Sequence, residues 1–311
     1  MDDVTDGNST EILAVLLLTR GMHFASVFVL FGSALYWLVM PDNFPRARRA
    51  TDQLLRMAAP TAAISGVGWL CAIVANMAGG LSAVIEPETL SLFFFQTQFG
   101  PVAALRVALL AGCVVAALWS GRGRLWLIAN LALGALLLVD QAWLGHAAEG
   151  GAGLKGALMI GVYCIHVFAA AAWLGGLPPL LFTLRDARES GEAKARRLTI
   201  DVLLRFSVMG AVGVALIVVS GIGNGAFRVG SSFAILLKAD YGDVLFVKAA
   251  LVAAMLGLAA CNRFIALPRL RLAPADAQQT ARLHVSVAIE LVLGLGVLAA
   301  ASVLGITLPP Q

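Results

Sequence analysis

Long, uninterrupted apolar stretches alternate with short polar connections along the whole chain, and this alternation predicts the fold. Eight such stretches occur, at approximately residues 11–39, 54–78, 99–119, 124–145, 156–184, 202–226, 241–262 and 282–307. An apolar α-helix of about 20 residues crosses a hydrocarbon core of about 30 Å and satisfies its backbone groups within itself. These runs are too long and too unbroken for barrel strands, so the expected fold is an all-α integral membrane protein of eight transmembrane helices. No soluble domain fits between them.

Composition supports this pattern: hydrophobic residues make up 60% of the chain and charged residues 13%, too apolar for an ordinary water-facing surface. The first run follows Asp2, Asp3, Asp6 and Glu11 rather than a basic segment, and it is longer than a signal-peptide core. It is expected to stay as a helix. Arginine and lysine gather after the odd-numbered helices: Arg46, Arg48 and Arg49; Arg122 and Arg124; Arg185, Arg188, Lys194, Arg196 and Arg197; and Arg263, Arg269 and Arg271. The other connections carry only Lys155, Arg228 and Lys238. This asymmetry predicts that both termini face outward, away from the cytoplasm. The net charge of +4 reflects it, and nothing points to nucleic acid.

The two halves echo one another. His23 precedes Gly32 by nine residues, as His166 precedes Gly175. Phe99, Gly100, Val102, Arg106, Ala108 and Leu109 match Tyr241, Gly242, Val244, Lys248, Ala250 and Leu251 at nearly the same offset. Four helices per unit is an even number, so the expectation is two parallel four-helix repeats, residues 1–145 and 146–311. Cys71, Cys113, Cys164 and Cys261 lie on four different helices without a CxxC pair, which argues for packing rather than a disulfide framework or a zinc knuckle.

Polar side chains inside apolar segments are costly, which makes the four histidines the leading candidates for chemistry. His23 and His166 sit at equivalent depths, and a pseudo-twofold arrangement turns them toward one another as a metal or haem site; an interhelical hydrogen bond is the plain alternative. Met159, seven residues before His166, offers a thioether suited to a cuprous ion, or simply packs. His146, near the carboxylate of Asp140, forms a mouth for an incoming cation or an ordinary interfacial histidine. His284 and Glu290 share the last helix, but their six-residue spacing places them on different faces. Arg20, Arg106 and Lys248 are positive charges beside this route. They pair with Asp140 and Glu290, snorkel to the interface, or hold an anion such as a haem propionate.

The segment from Ile165 through His166, Trp173, Gly175 and Gly176 to Leu177 resembles the hallmark of the bacterial copper resistance D (CopD) family. Arg205, Phe206 and Ser207, then Ser220 and Gly221, Tyr241 and Gly242, Lys248, and Asn262 with Arg263 are similar to that family in order and spacing. The resemblance is most specific from about residue 155 to 270. It implies an inner-membrane protein that moves copper, as Cu(I) or Cu(II), from periplasm to cytoplasm and contributes to copper homeostasis and resistance. It also implies a small periplasmic copper-binding partner, CopC. Only about ten polar residues precede the first helix, so that partner is expected to be a separate protein. A high-capacity Met-rich or His-rich external loop is absent from the sequence, a departure from what a copper collector would show.

No nucleotide-binding loop, Ser/His/Asp set, paired catalytic carboxylates or zinc-protease helix occurs, so enzymatic activity is not expected. Two other classes stand beside the transporter. One is an electron-transfer protein in which His23 and His166 ligate haem b and Arg106 and Lys248 hold its propionates. The other is a scaffold or sensor that binds copper without moving it.

Overall fold

A computed structural model of the chain describes residues 2–121, 123–144, 150–151, 153–190, 193–229, 240–272 and 277–307, and all regular structure among them is helical. The elements are α1 (Asp2–Val39), α2 (Pro45–Ala78), a 3₁₀ turn (Leu81–Ile85), α3 (Pro87–Gln96), α4 (Gly100–Leu118) and α5 (Arg124–Asp140). A second 3₁₀ turn (Gln141–Leu144) is followed by α6 (Leu154–Ser190), α7 (Ala193–Val229), α8 (Asp240–Cys261), a π turn (Asn262–Ala266), α9 (Leu267–Leu272) and α10 (Ala277–Leu304). Among these residues, eight helical spans are long and apolar enough to cross a membrane. Each matches one of the eight runs expected from the sequence.

Several helices outlast their apolar runs. The second begins at Pro45 rather than near residue 54, the fifth continues to Ser190, and the seventh span continues through the π turn to Leu272. Hydropathy marks the part of a helix that suits lipid, whereas caps and tertiary contacts mark where the helix ends. At α2, Phe44 offers no capping side chain, and Asp186 of α6 takes that role: its Oδ2 accepts the backbone N–H groups of Arg46 and Ala47 at 3.0 Å each. Gly79, at φ 79°, ends the helix in the left-handed conformation that glycine adopts without strain. The short helix α3 was not marked by the sequence pattern. It rests Phe93 in a small apolar cluster with Leu70, Val74 and Ala103.

The centre of the bundle is the crossing of α1 and α6. A Cβ at Gly32 would collide with the Ala171 carbonyl and the Gly175 backbone, and one at Gly175 would collide with the Phe28 carbonyl. Backbone therefore meets backbone, as small residues permit between membrane helices. Pro179 lacks the N–H that would bond the Gly175 carbonyl one turn earlier, and Ser33 Oγ donates to that carbonyl instead at 2.8 Å. One turn along, Thr183 Oγ1 donates to the Pro179 carbonyl at 2.8 Å, so Tyr36 OH donates to Thr183 at 2.9 Å. Gly32→Val should force these helices apart and destabilise the protein by more than the usual 1–3 kcal/mol of overpacking, because the obstacle is backbone. Denaturant unfolding of purified protein in detergent measures this loss.

The second half packs more loosely. α8 lies at the edge of the bundle and rests mainly on α10. Buried Glu290 of α10 accepts a hydrogen bond from Asn262 Nδ2 at 2.6 Å, where the π turn interrupts the helix.

Candidate functional site

The polar centre of the molecule lies between α1, α2, α4 and α5, around a fully buried His23. Its Nδ1 is 3.0 Å from the Ala62 carbonyl oxygen, and its Nε2 is 3.2 Å from Arg106 Nη1. A carbonyl can only accept and a guanidinium can only donate, so the proton sits on Nδ1 and the lone pair on Nε2. Local sequence makes this geometry available. Gly66 lies directly beside the ring, and a Cβ there would press on Nδ1 and Leu110.

Arg106 is fully buried and donates from Nε to Asp140 Oδ2 at 2.7 Å. Trp69, also buried, lies against the cluster: its ring is 5.7 Å from the His23 ring, 4.6 Å from the Arg106 guanidinium carbon and 5.4 Å from that of Arg20. The indole faces thus stabilise two cations in a setting poor in water. Next to Asp140, Gln141 Nε2 donates to Tyr163 OH of α6 at 2.6 Å. Three buried atoms here, Arg106 Nη2, Asp140 Oδ1 and Gln141 Oε1, have no hydrogen-bond partner among the described residues.

His166 is only partly buried and faces α7, with Nδ1 3.0 Å from Ser220 Oγ. Ser220 gives its own proton to the Leu216 carbonyl one turn earlier. Its oxygen is thereby left to accept from His166, which places the His166 lone pair on Nε2. His23 and His166 therefore carry their protons on the same nitrogen, one held by a carbonyl and one by a hydroxyl.

The expected apposition of these two imidazoles is not what the structure has. Although α1 and α6 cross at Gly32 and Gly175, His23 turns toward α2 and α4 and His166 toward α7, where Ala62, Arg106 and Ser220 supply polar partners within hydrogen-bond distance. The ring of His23 is met by Trp69, so the residues do not fit a haem held between His23 and His166. Arg106 also departs from snorkelling: it is enclosed with Asp140 as an ion pair, and the carboxylate expected at a cation mouth is tied to that guanidinium. Met159 is buried and abuts Gly150. His284 is half-buried and does not join Glu290. Arg20 lies over Phe24 and Trp69 and reaches Gly305 of the chain end. Lys248 is part-buried on α8, and His146 lies outside the described residues.

Among the described residues, no three His, Cys, Asp or Glu side chains gather as a ready-made metal site. Sequence reasoning missed Ala62, Gly66 and Trp69, which shape the His23 pocket but sit unmarked in an apolar run. Ser220 and Asn262 were visible only as parts of the family-like pattern, without a role.

Residues 9–157 match the family described as copper resistance protein D-like, N-terminal domain, and residues 200–304 match that described as copper resistance protein D. The chain is 31% identical over 254 residues to "Inner membrane protein YebZ" of Escherichia coli (strain K12), covering 81% of this chain and 84% of that protein. It is 29% identical over 253 residues to "Copper resistance protein D" of Pseudomonas syringae pv. tomato, covering 79% and 80%. No solved structure matches it. With eight apolar spans and these relatives, the chain is a multi-pass inner-membrane protein and belongs to the copper resistance protein D family.

Proposed function

We propose that this protein carries copper across the inner membrane from the periplasmic to the cytoplasmic side, as a carrier and not an enzyme, with both termini periplasmic. The observation that supports this most is the buried His23 imidazole, whose proton is fixed on Nδ1 and whose Nε2 lone pair, of a kind that suits a soft cation, is held at rest by Arg106 Nη1. A second imidazole, His166, donates from Nδ1 to Ser220 Oγ in the other half. The meeting of Gly32 with Gly175 supports reading residues 1–145 and 146–311 as two related units.

In this reading copper is the cargo. Arg106 holds the Nε2 lone pair of His23 while the site is at rest. The unpartnered Nη2 of Arg106 and Oδ1 of Asp140 give the guanidinium a second arrangement, with both ends on the carboxylate and Nη1 withdrawn from His23. The cuprous ion then takes the imidazole nitrogen, a ligand type that suits copper and not magnesium or calcium. His166 receives it next, and the carboxylate of Glu290 lies toward the basic end of the bundle. A separate periplasmic copper-binding protein of the CopC type is the proposed donor. No nucleotide-binding motif is in the sequence, so the flux is passive or coupled to an ion gradient.

The test is copper uptake into sealed proteoliposomes with the protein in a known orientation, together with an absorption spectrum of the same preparation. Copper entering from the face that carries the termini supports the proposal. Copper bound without flux would make the protein a scaffold, and flux from the opposite face alone would reverse the direction.

A further inference from the structure

We propose that a groove between α7 and the α9 segment at the basic end of the bundle holds the phosphate of an anionic phospholipid. Leu204, Ser207 and Val208 form one wall and Arg263, Phe264, Leu267, Pro268 and Arg271 the other, around a space of about 180 Å³. The lining contains two guanidinium groups and no acid.

The chemistry of those guanidinium groups matches a phosphate at a lipid surface. Arg263 Nη1 donates to the Ser207 carbonyl at 2.7 Å and to Ser207 Oγ at 2.8 Å. These two bonds use the hydrogens of Nη1 and leave Nε and Nη2 as donors, with the group already oriented. Arg271 is exposed and enters no ion pair among the described residues. Arg263, oriented by Ser207, presents a forked donor set to a phosphodiester, and the exposed Arg271 on the same wall adds a second positive charge.

Position selects a lipid over a dissolved anion. The apolar run of α7 starts at about residue 202 and that of α8 ends at about residue 262, so Leu204 and Arg263 stand near the boundary between lipid and water and Arg271 lies beyond it on the polar side. Leu204 lies about 10 Å farther along α7 from Arg197, at the helical rise per residue. Val208 and Phe264 are strongly exposed beside the arginines, 58% and 71% respectively, and provide a surface for an acyl chain. The π turn at Asn262–Ala266 shifts the helix register where the groove opens, a form of helix defect that often accompanies binding sites. Charge above and apolar surface below is the pattern of an anionic lipid, and basic pockets between membrane helices recognise such headgroups.

The full chain, purified and stripped of lipid in detergent, would be titrated with phosphatidylglycerol and with phosphatidylcholine while its thermal unfolding and its lipid adducts by native mass spectrometry are followed. Wild type should prefer phosphatidylglycerol by about 30-fold, the effect of two basic side chains at a membrane surface. Arg271→Gln, which disturbs no internal bond, should lower that preference about fivefold, and Arg263→Gln/Arg271→Gln should abolish it. Arg124→Gln, a basic residue of α5 away from the groove, should leave it unchanged. Equal binding of the two lipids by wild type would overturn the proposal, as would a preference that survives in the double variant. Inorganic phosphate competing as well as phosphatidylglycerol would overturn it too, by making this a site for free anions.

Discussion

Arg106→Met is expected to destabilise the protein by about 3–5 kcal/mol, and Asp140→Leu by a similar amount, whereas the two together should recover most of the loss. Each single change leaves one charge enclosed where Arg106 and Asp140 are now almost inaccessible, 0% and 3% exposed. The pair itself adds little net stability, because its attraction is spent against the desolvation of both ions. Denaturant unfolding of the purified variants in one detergent separates these terms. Single variants as stable as wild type would mean that the pair is hydrated, and a double variant as unstable as either single would mean that packing, not charge, holds the region together. The double variant also removes the donor from His23 Nε2. Under the proposed mechanism it should bind copper more tightly than wild type and move it without the resting arrangement in place.

That result also bears on why Arg106 sits in the sequence where it does. Arg106 and Lys248 occupy matching positions in the two halves, yet Arg106 is enclosed by His23, Asp140 and Trp69 while Lys248 is only part-buried on a peripheral helix. The pattern of apolar runs revealed the number of helices because the bilayer imposes a fixed length on each. The nine-residue spacing from a histidine to a glycine marked Gly32 and Gly175 as equivalent positions in the two halves, but not as the place where α1 and α6 cross. What it did not reveal is the rotation of each helix about its axis. Both His23 and His166 were legible as buried polar groups, but whether they face one another depends on partners such as the Ala62 carbonyl and Ser220 Oγ. Hydropathy carries no sign of a backbone carbonyl. In the same way, Asp186 fixes the start of α2 from about 140 residues away in sequence, a contact that no local periodicity announces.

His23→Ala is expected to have the largest effect on copper, reducing uptake by more than the 10- to 100-fold that follows loss of a group merely orienting a metal ligand. The variant keeps the Arg106–Asp140 ion pair, so it should remain folded in the membrane, and the pocket it opens is lined by Trp69 and Leu110. His166→Ala should give a comparable loss if copper passes from one half to the other. Ser220→Ala should give the smaller, 10- to 100-fold effect, because it removes only the acceptor that fixes the proton on His166 Nδ1. Initial rates of copper uptake into proteoliposomes at matched protein content distinguish these three. Wild-type rates in His23→Ala would remove the buried imidazole from the route. A full loss in His23→Ala beside wild-type rates in His166→Ala would confine copper to the first half of the chain, where the Arg106 guanidinium alone controls access to the lone pair.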